Sequence, residues 1–332
     1  VTRYFIDAWD PAYGSSIEAD GSAGFAGPSE QSTAQVDADL EVPAERWQPL
    51  LPPAGLRPPP VVLLVDGVRR IDAGLWTEEE DGESYPGLAA SYAAGVVRCD
   101  LEQGVAVLAG SRVRRGLFTA SPSAADAVAG SIRYEVHRVS GAGEQSKLPA
   151  AIQAPLTALE VEVSGDARAD AGDDDLLIVD GPLRNRRQLA RTIGYIKTQH
   201  RQYLPPRLSA VVTSLQPGQR SPVFMTGTTW GGYSWYIRLP GRPGAPWAGI
   251  IRAECSSDLS PAAAFALADL SLVTLPRFAS TAYKDPRAPQ NLIPIAGLER
   301  RLRAMLGDSR LLHRALTQSA ARAAYEAATR KD

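Results

Sequence analysis

The stretch Leu176-Leu177-Ile178-Val179-Asp180-Gly181-Pro182-Leu183 reads as a strand covered on both faces that carries a carboxylate to its end and then turns on glycine. Arginine-rich sequence follows it as far as Lys197 and His200. A second copy of the device lies upstream, in Val61-Val62-Leu63-Leu64-Val65-Asp66-Gly67. Two aliphatic strands that each end in Asp-Gly are expected to bring two carboxylates side by side. Paired carboxylates are hard oxygen ligands of the kind that hold a divalent cation.

Working outward from Asp180, the acidic loop before it holds Asp166, Asp170, Asp173, Asp174 and Asp175. It lacks the order of a calcium loop and reads as solvated. Residues 149–163 form a helical pattern, with Ile152, Leu156, Leu159 and Val163 on one face and Glu160 beside that face. Downstream, residues 186–202 read as a helix through Leu189, Ile193 and Ile196, which puts Lys197 one helix after Asp180. Strands are expected at 61–66, 68–76 and 89–99, with Gly67 as the turn between the first two. Further strands at 105–118 and 132–139 read as a small inserted β region near 101–140.

The later chain gives a helix at 206–215, then strands at 223–226, 233–239 and 247–254. A helix at 262–275 follows, capped by Ser260 with Pro261 in its first position. Two C-terminal helices are divided by Gly307, with Asp308 or Ser309 as the cap of the second. The fold class expected is α/β, an RNase H-like mixed sheet flanked by helices, with the inserted β region and the C-terminal helices. Residues 1–60, rich in proline from Pro43 to Pro60, read as a partly irregular N-terminal extension, and residues 61–332 as the main domain.

Of 332 residues, 44% are hydrophobic, enough for a substantial core, and the net charge of −2 argues against a uniformly basic coat but not against a local basic groove. The only lysines are Lys147, Lys197, Lys284 and Lys331, so positive charge is almost all arginine. Overall composition accounts for that bias, and arginine's planar fork also suits bidentate phosphate contacts. Cys99 and Cys255 have no metal-ligand spacing and read as free thiols in a reducing compartment. No run approaches the length of a membrane span, and a cytoplasmic protein is expected.

There is no phosphate-binding Gly-x-x-x-x-Gly-Lys-Ser/Thr loop, dinucleotide fingerprint, Gly-x-Ser-x-Gly elbow or His-Glu-x-x-His helix. The carboxylates remain. Asp66 and Asp180 supply two ligands and Glu160 a third, with Glu162 a competing candidate; Lys197 is placed to orient water or hold a phosphate. Against this, a lone Asp-Gly is ordinarily a turn, and arginines on a helix are by default a solvated face.

The order Phe5-Ile6-Asp7-Ala8-Trp9-Asp10-Pro11, Val65-Asp66-Gly67-Val68-Arg69-Arg70-Ile71, Val179-Asp180-Gly181-Pro182-Leu183, Gly194-Tyr195-Ile196-Lys197-Thr198 and Arg287-Ala288-Pro289-Gln290-Asn291-Leu292 resembles the NurA nuclease family along nearly the whole chain. The resemblance implies a Mn2+- or Mg2+-dependent DNA nuclease with two ions, of the single-strand endonuclease and 5'-3' exonuclease type. It further implies a homodimer that works with the hexameric ATPase HerA in end resection and repair. By position, Asp66 and Asp180 match the family's catalytic aspartates and Glu160 its intervening glutamate. Where the family often has a C-terminal histidine, Asp285, Arg287 and Asn291 are the groups on hand. Arg69, Arg114, Arg184, Arg187, Arg191, His200 and Arg287 are the candidates for DNA contact, with Arg112 and Arg115 beside them. The alternative is a non-catalytic DNA-binding or adaptor subunit that regulates the ATPase.

Overall fold

The computed structural model describes residues 30–79, 82–139, 147–169, 174–183, 190–199, 201–227, 231–241, 244–285 and 287–329. Three of the site candidates, Arg184, Arg187 and His200, lie outside the described residues. The architecture is mixed α/β, and the chain divides into two compact units. Unit 1 comprises Val1–Leu64, Val97–Val107 and Ala171–Ala296; unit 2 comprises Val65–Val96, Leu108–Asp170 and Gly297–Asp332. Among the described residues no helix is long and apolar enough to cross a membrane.

Unit 1 carries β1 (Glu30–Gln31), β2 (Gln35–Asp37), β8 (Asp175–Asp180), β9 (Thr192–Ile196), β10 (Arg201–Gln202), β11 (Phe224–Gly227), β12 (Gly232–Arg238) and β13 (Ile250–Ser256). Its main sheet runs β2-β11-β12-β13-β9-β8 and then β3 (Val61–Glu78), of which residues 61–64 belong to this unit. The β8 and β9 strands are parallel, and β13 is antiparallel to β9. On this sheet lies a core that includes Val62, Leu64, Ile178, Ile193, Trp235, Ile251 and Leu272. The last comes from the helix Pro261–Thr274, whose cap is Ser260: its hydroxyl accepts the Ala263 N–H at 3.3 Å.

The segment 30–60 is tied to unit 1 and contributes Trp47 to a second core cluster with Leu208, Val212 and Tyr236. Its β2 strand pairs with β11, and Trp47 is buried against Phe224, ring centroids 6.1 Å apart. Glu41 grips buried Arg220 with both carboxylate oxygens, at 2.6 and 2.8 Å, while Arg220 Nε donates to Asp269 at 2.8 Å.

Unit 2 holds the remainder of β3, then β4 (Ser84–Asp100), β5 (Val105–Thr119), β7 (Ile132–Arg138) and β6 (Ala127–Ala129), in the order β3-β4-β5-β7-β6. The expected inserted β region is therefore continuous with the sheet through β5. Helices Leu148–Ala151, Gln153–Ala169 and Ser309–Thr329 also belong here, with most of Ile293–Met305. Gly307, at φ +82°, separates the last two helices; Asp308 caps the final one by accepting the Arg310 and Leu311 N–H groups at 2.8 and 3.1 Å.

Two local expectations are corrected. Residues 192–196 are a buried strand, not the middle of a helix. Ile193 and Ile196 fall at helical spacing, yet the segment Thr192-Ile193-Gly194-Tyr195-Ile196 is β-branched and aromatic, and it is inserted between β8 and β13. Lys197 thus follows a strand parallel to β8. Likewise, Gly67 is no turn: β3 runs straight through it, and the chain passes there from covered on both faces to alternately covered.

Candidate functional site

In unit 1, β8 delivers Asp180 to its end, and Gly181, at φ +106°, turns the chain as only glycine does readily. The turn is laid across β9: an ideal Cβ on Gly194 would stand 2.9 Å from the Gly181 carbonyl oxygen and 3.1 Å from the Leu183 nitrogen. Glu254, paired with Gly194 across the ladder, accepts the Leu183 N–H at 2.8 Å. Its other oxygen accepts from Arg252 Nη1 at 3.0 Å. Residues 181–183 are therefore held by β9 and β13 as well as by the glycine turn.

Lys197 Nζ donates to Asp180 Oδ2 at 2.6 Å, with both side chains largely covered. The same ammonium donates to Asn291 Oδ1 at 3.3 Å, and Asn291 Nδ2 donates to Asp285. Asp285 also accepts the Arg287 N–H at 2.8 Å. Gln290 docks this loop on the sheet through the carbonyls of Lys197 and Ile250, and Tyr195 Oη donates to the Gln290 carbonyl at 2.6 Å. Burial, and secondarily the Asp180 charge, hold the Tyr195 phenol well above its usual range, so it remains a donor at any physiological pH. Among the three groups expected to stand in for a C-terminal histidine, Asn291 touches Lys197 and Asp285 stands behind it.

In unit 2, Asp66 is 9% exposed and its Oδ1 accepts the Gly67 N–H at 2.7 Å. Helix Gln153–Ala169 lays Glu160, 7% exposed, over the next residue: a Cβ on Gly67 would lie 2.5 Å from Glu160 Oε1 and 2.7 Å from Leu156 Cδ1. Glu162 faces elsewhere. It accepts from Arg114 at 2.8 Å and forms an ion pair with Arg112, which also reaches Asp166 at 2.6 Å. Of the two competing glutamates, Glu160 packs over Gly67, the residue after Asp66, and Glu162 neutralises two of the arginines considered for DNA contact.

A group that sequence reading missed is Glu299, on helix Ile293–Met305. A carboxylate oxygen of Glu299 lies within 4.8 Å of one on Asp66. Close packing brings the helix there: a Cβ on Gly95 would meet Leu298 and Leu302 at 3.1 Å. Its C-terminal end is held by Arg70, which donates to the Gly307 carbonyl at 2.8 Å and to Asp72 Oδ1 at 2.9 Å. Asp72 is buried and also accepts from Ser91 and, at 3.1 Å, from Tyr134. The only hint in sequence was an acid flanked by core leucines, which is also what an ordinary amphipathic helix shows.

The other candidates are placed as follows. Exposed Arg69 donates to the Pro149 carbonyl and to Gln153, both at 3.3 Å. Arg191 adopts φ +44° and donates to the Asp175 carbonyl at 2.7 Å. Arg287 lies in the loop that supports Lys197.

The donor set is all oxygen, and two carboxylate oxygens within 4.8 Å suit a cation that binds each at about 2.0–2.6 Å. Asp66 and Glu299 thus fit a hard divalent ion such as Mg2+ or Mn2+, and no cysteine or histidine takes part in the grouping.

No protein-family model and no curated protein matches the chain. Among solved structures it is similar to an endonuclease V of Bacillus subtilis, at 15% identity over 74% of this chain and 80% of that one, with a TM-score of 0.31. It is also similar to endonuclease V of Ciona intestinalis in complex with a 24mer DNA containing an inosine followed by a ribo-adenosine, at 8% identity over 81% and 90% of the two chains, with a TM-score of 0.29. At those scores the likeness carries no argument about this chain.

Proposed function

We propose that the chain is a metal-dependent DNA nuclease of the NurA type. The observation that carries the reading is the Asp66–Glu299 carboxylate pair, held by a sheet strand and a clamped helix at a separation one divalent ion spans. In this reading Asp66 and Glu299 would hold a Mn2+ or Mg2+ ion, and Asp180 and Glu160 are the further carboxylates proposed as metal ligands. When bound, such ions supply a hydroxide-like nucleophile and stabilise charge on the leaving oxygen. The chain's own contribution is positioning and charge: Lys197 presents an ammonium to a phosphodiester oxygen, and Asn291 and Asp180 fix where that ammonium sits. The wider proposal is a cytoplasmic homodimer acting on single strands and DNA ends beside a HerA-type translocase in end resection.

One observation favours the non-catalytic DNA-binding or adaptor reading. Lys197 already neutralises Asp180, as it would in a chain that had given up the ion. The separating experiment is cleavage of a labelled single-stranded oligonucleotide with Mn2+, with Mg2+ and with a chelator. The nuclease reading expects metal-dependent product, lost on chelation and reduced at least about 100-fold by Asp66→Ala, Asp180→Ala or Glu299→Ala. Absence of cleavage by the wild type, or full activity in Asp66→Ala, would leave the adaptor reading standing.

A further inference from the structure

Beside Asp180 and Lys197, unit 1 contains a cavity of about 570 Å3 that also takes in Arg201, Tyr203 and Arg252. Its charged lining is three cations against one carboxylate, Asp180. Lys197 is paired with that carboxylate, and Arg201 is exposed at the rim. Arg252 is 8% exposed, yet it is only partly satisfied: Nη1 donates to Ser234 Oγ at 3.1 Å and to Glu254 at 3.0 Å, while Nε has no partner. Its guanidinium carbon sits 4.9 Å from the centroid of the Tyr203 ring. A cation against one side of an aromatic ring holds that ring in place. Tyr203 is half-buried: it packs against the core cluster that holds Leu204, Leu208 and Phe224, and it also lines the cavity.

We propose that this cavity seats one unpaired nucleotide next to the phosphodiester presented to Lys197, and that Tyr203 is the residue that selects an unpaired base. The inference rests on the nuclease reading above and gives it a substrate determinant. The chemistry is complementary part by part. The volume falls in the range of about 300–1,000 Å3 that small-molecule sites use, the cations suit a phosphate, and an anchored aromatic ring suits the face of any base. A base held in a duplex has both faces covered by its neighbours and cannot also lie on Tyr203. The selection is thus for strand state rather than for sequence.

The test is equilibrium binding of a short fluorescein-labelled oligothymidylate, in EDTA so that nothing is cut, followed by anisotropy. Tyr203→Leu is expected to weaken binding about 5- to 100-fold and Tyr203→Phe by no more than about 2-fold, because the ring and not the hydroxyl is used. An otherwise identical strand with abasic sites should be bound equally by wild type and Tyr203→Leu. With 2-aminopurine in the strand, stacking should quench its emission in wild type and Tyr203→Phe but not in Tyr203→Leu. Binding by Tyr203→Leu within 2-fold of wild type, or an equal loss on the abasic strand, overturns the proposal. The two readings fail separately. Metal-dependent cleavage with no effect of Tyr203 removes only the nucleotide pocket, whereas Tyr203-dependent binding without any cleavage removes only the nuclease.

Discussion

At the scale of single residues, the two Asp-Gly pairs are alike in sequence and different in cause. Gly181 has a positive φ and turns the chain, whereas Gly67 lies inside a continuous strand and is small because Glu160 and Leu156 occupy the space of its Cβ. Alanine at position 67 is therefore allowed by the backbone and refused by its neighbours. Gly67→Ala is expected to destabilise the protein by about 1–3 kcal/mol in urea unfolding. The same substitution should be coupled to Glu160→Ala in a double-mutant cycle by at least about 0.5 kcal/mol. Strict additivity would mean that Glu160 is not what excludes a side chain there. Asp66 and Asp180 could be picked from the sequence because each ends an aliphatic run, whereas Lys197 falls in a segment that reads as a helix and follows the β9 strand instead. Glu299 could not be picked, since nothing local distinguishes a carboxylate aimed at Asp66 from one aimed at water.

At the scale of elements, the strands that carry Asp66 and Asp180 were legible from their aliphatic runs and the helix read at 149–163 from its apolar spacing, though the structure breaks it into Leu148–Ala151 and Gln153–Ala169. The β9 strand was not legible. Five residues are too few to separate a strand from a helical turn, and its identity comes from β8 and β13 on either side. What ties residues 30–60 to the sheet is likewise long-range, the grip of Glu41 and Asp269 on Arg220. Arg220→Ala leaves both carboxylates facing a nearly sealed site and is expected to cost about 3–5 kcal/mol, read from the urea midpoint. A loss below about 1 kcal/mol would show that Trp47 and β2 hold the segment without the ion cluster.

At the scale of the whole molecule, both cysteines lie in the core of unit 1. Burial pushes the Cys99 thiol up to about 11, and burial aided by the Glu254 charge pushes Cys255 up to about 12. Both shifts are upward, so the reactive thiolate is scarce at pH 8 and access is closed as well. Neither thiol should react with an aromatic disulfide reagent in the native protein, and both should react once unit 1 opens. Because β3, β4 and β5 each supply residues to both units, thiol exposure and loss of far-ultraviolet circular dichroism are expected to share one urea midpoint. Two separated transitions would show that the units open independently.

Those shared strands also bear on how such a gene could be assembled or taken apart. Neither unit is encoded by one uninterrupted stretch: unit 1 needs three separate pieces of chain, and so does unit 2. No single crossover or deletion boundary in the coding sequence releases either unit whole. The shortest uninterrupted stretch that carries unit 1 is residues 1–296 and the shortest that carries unit 2 is residues 65–332, so a gene fragment encoding either one also encodes pieces of the other.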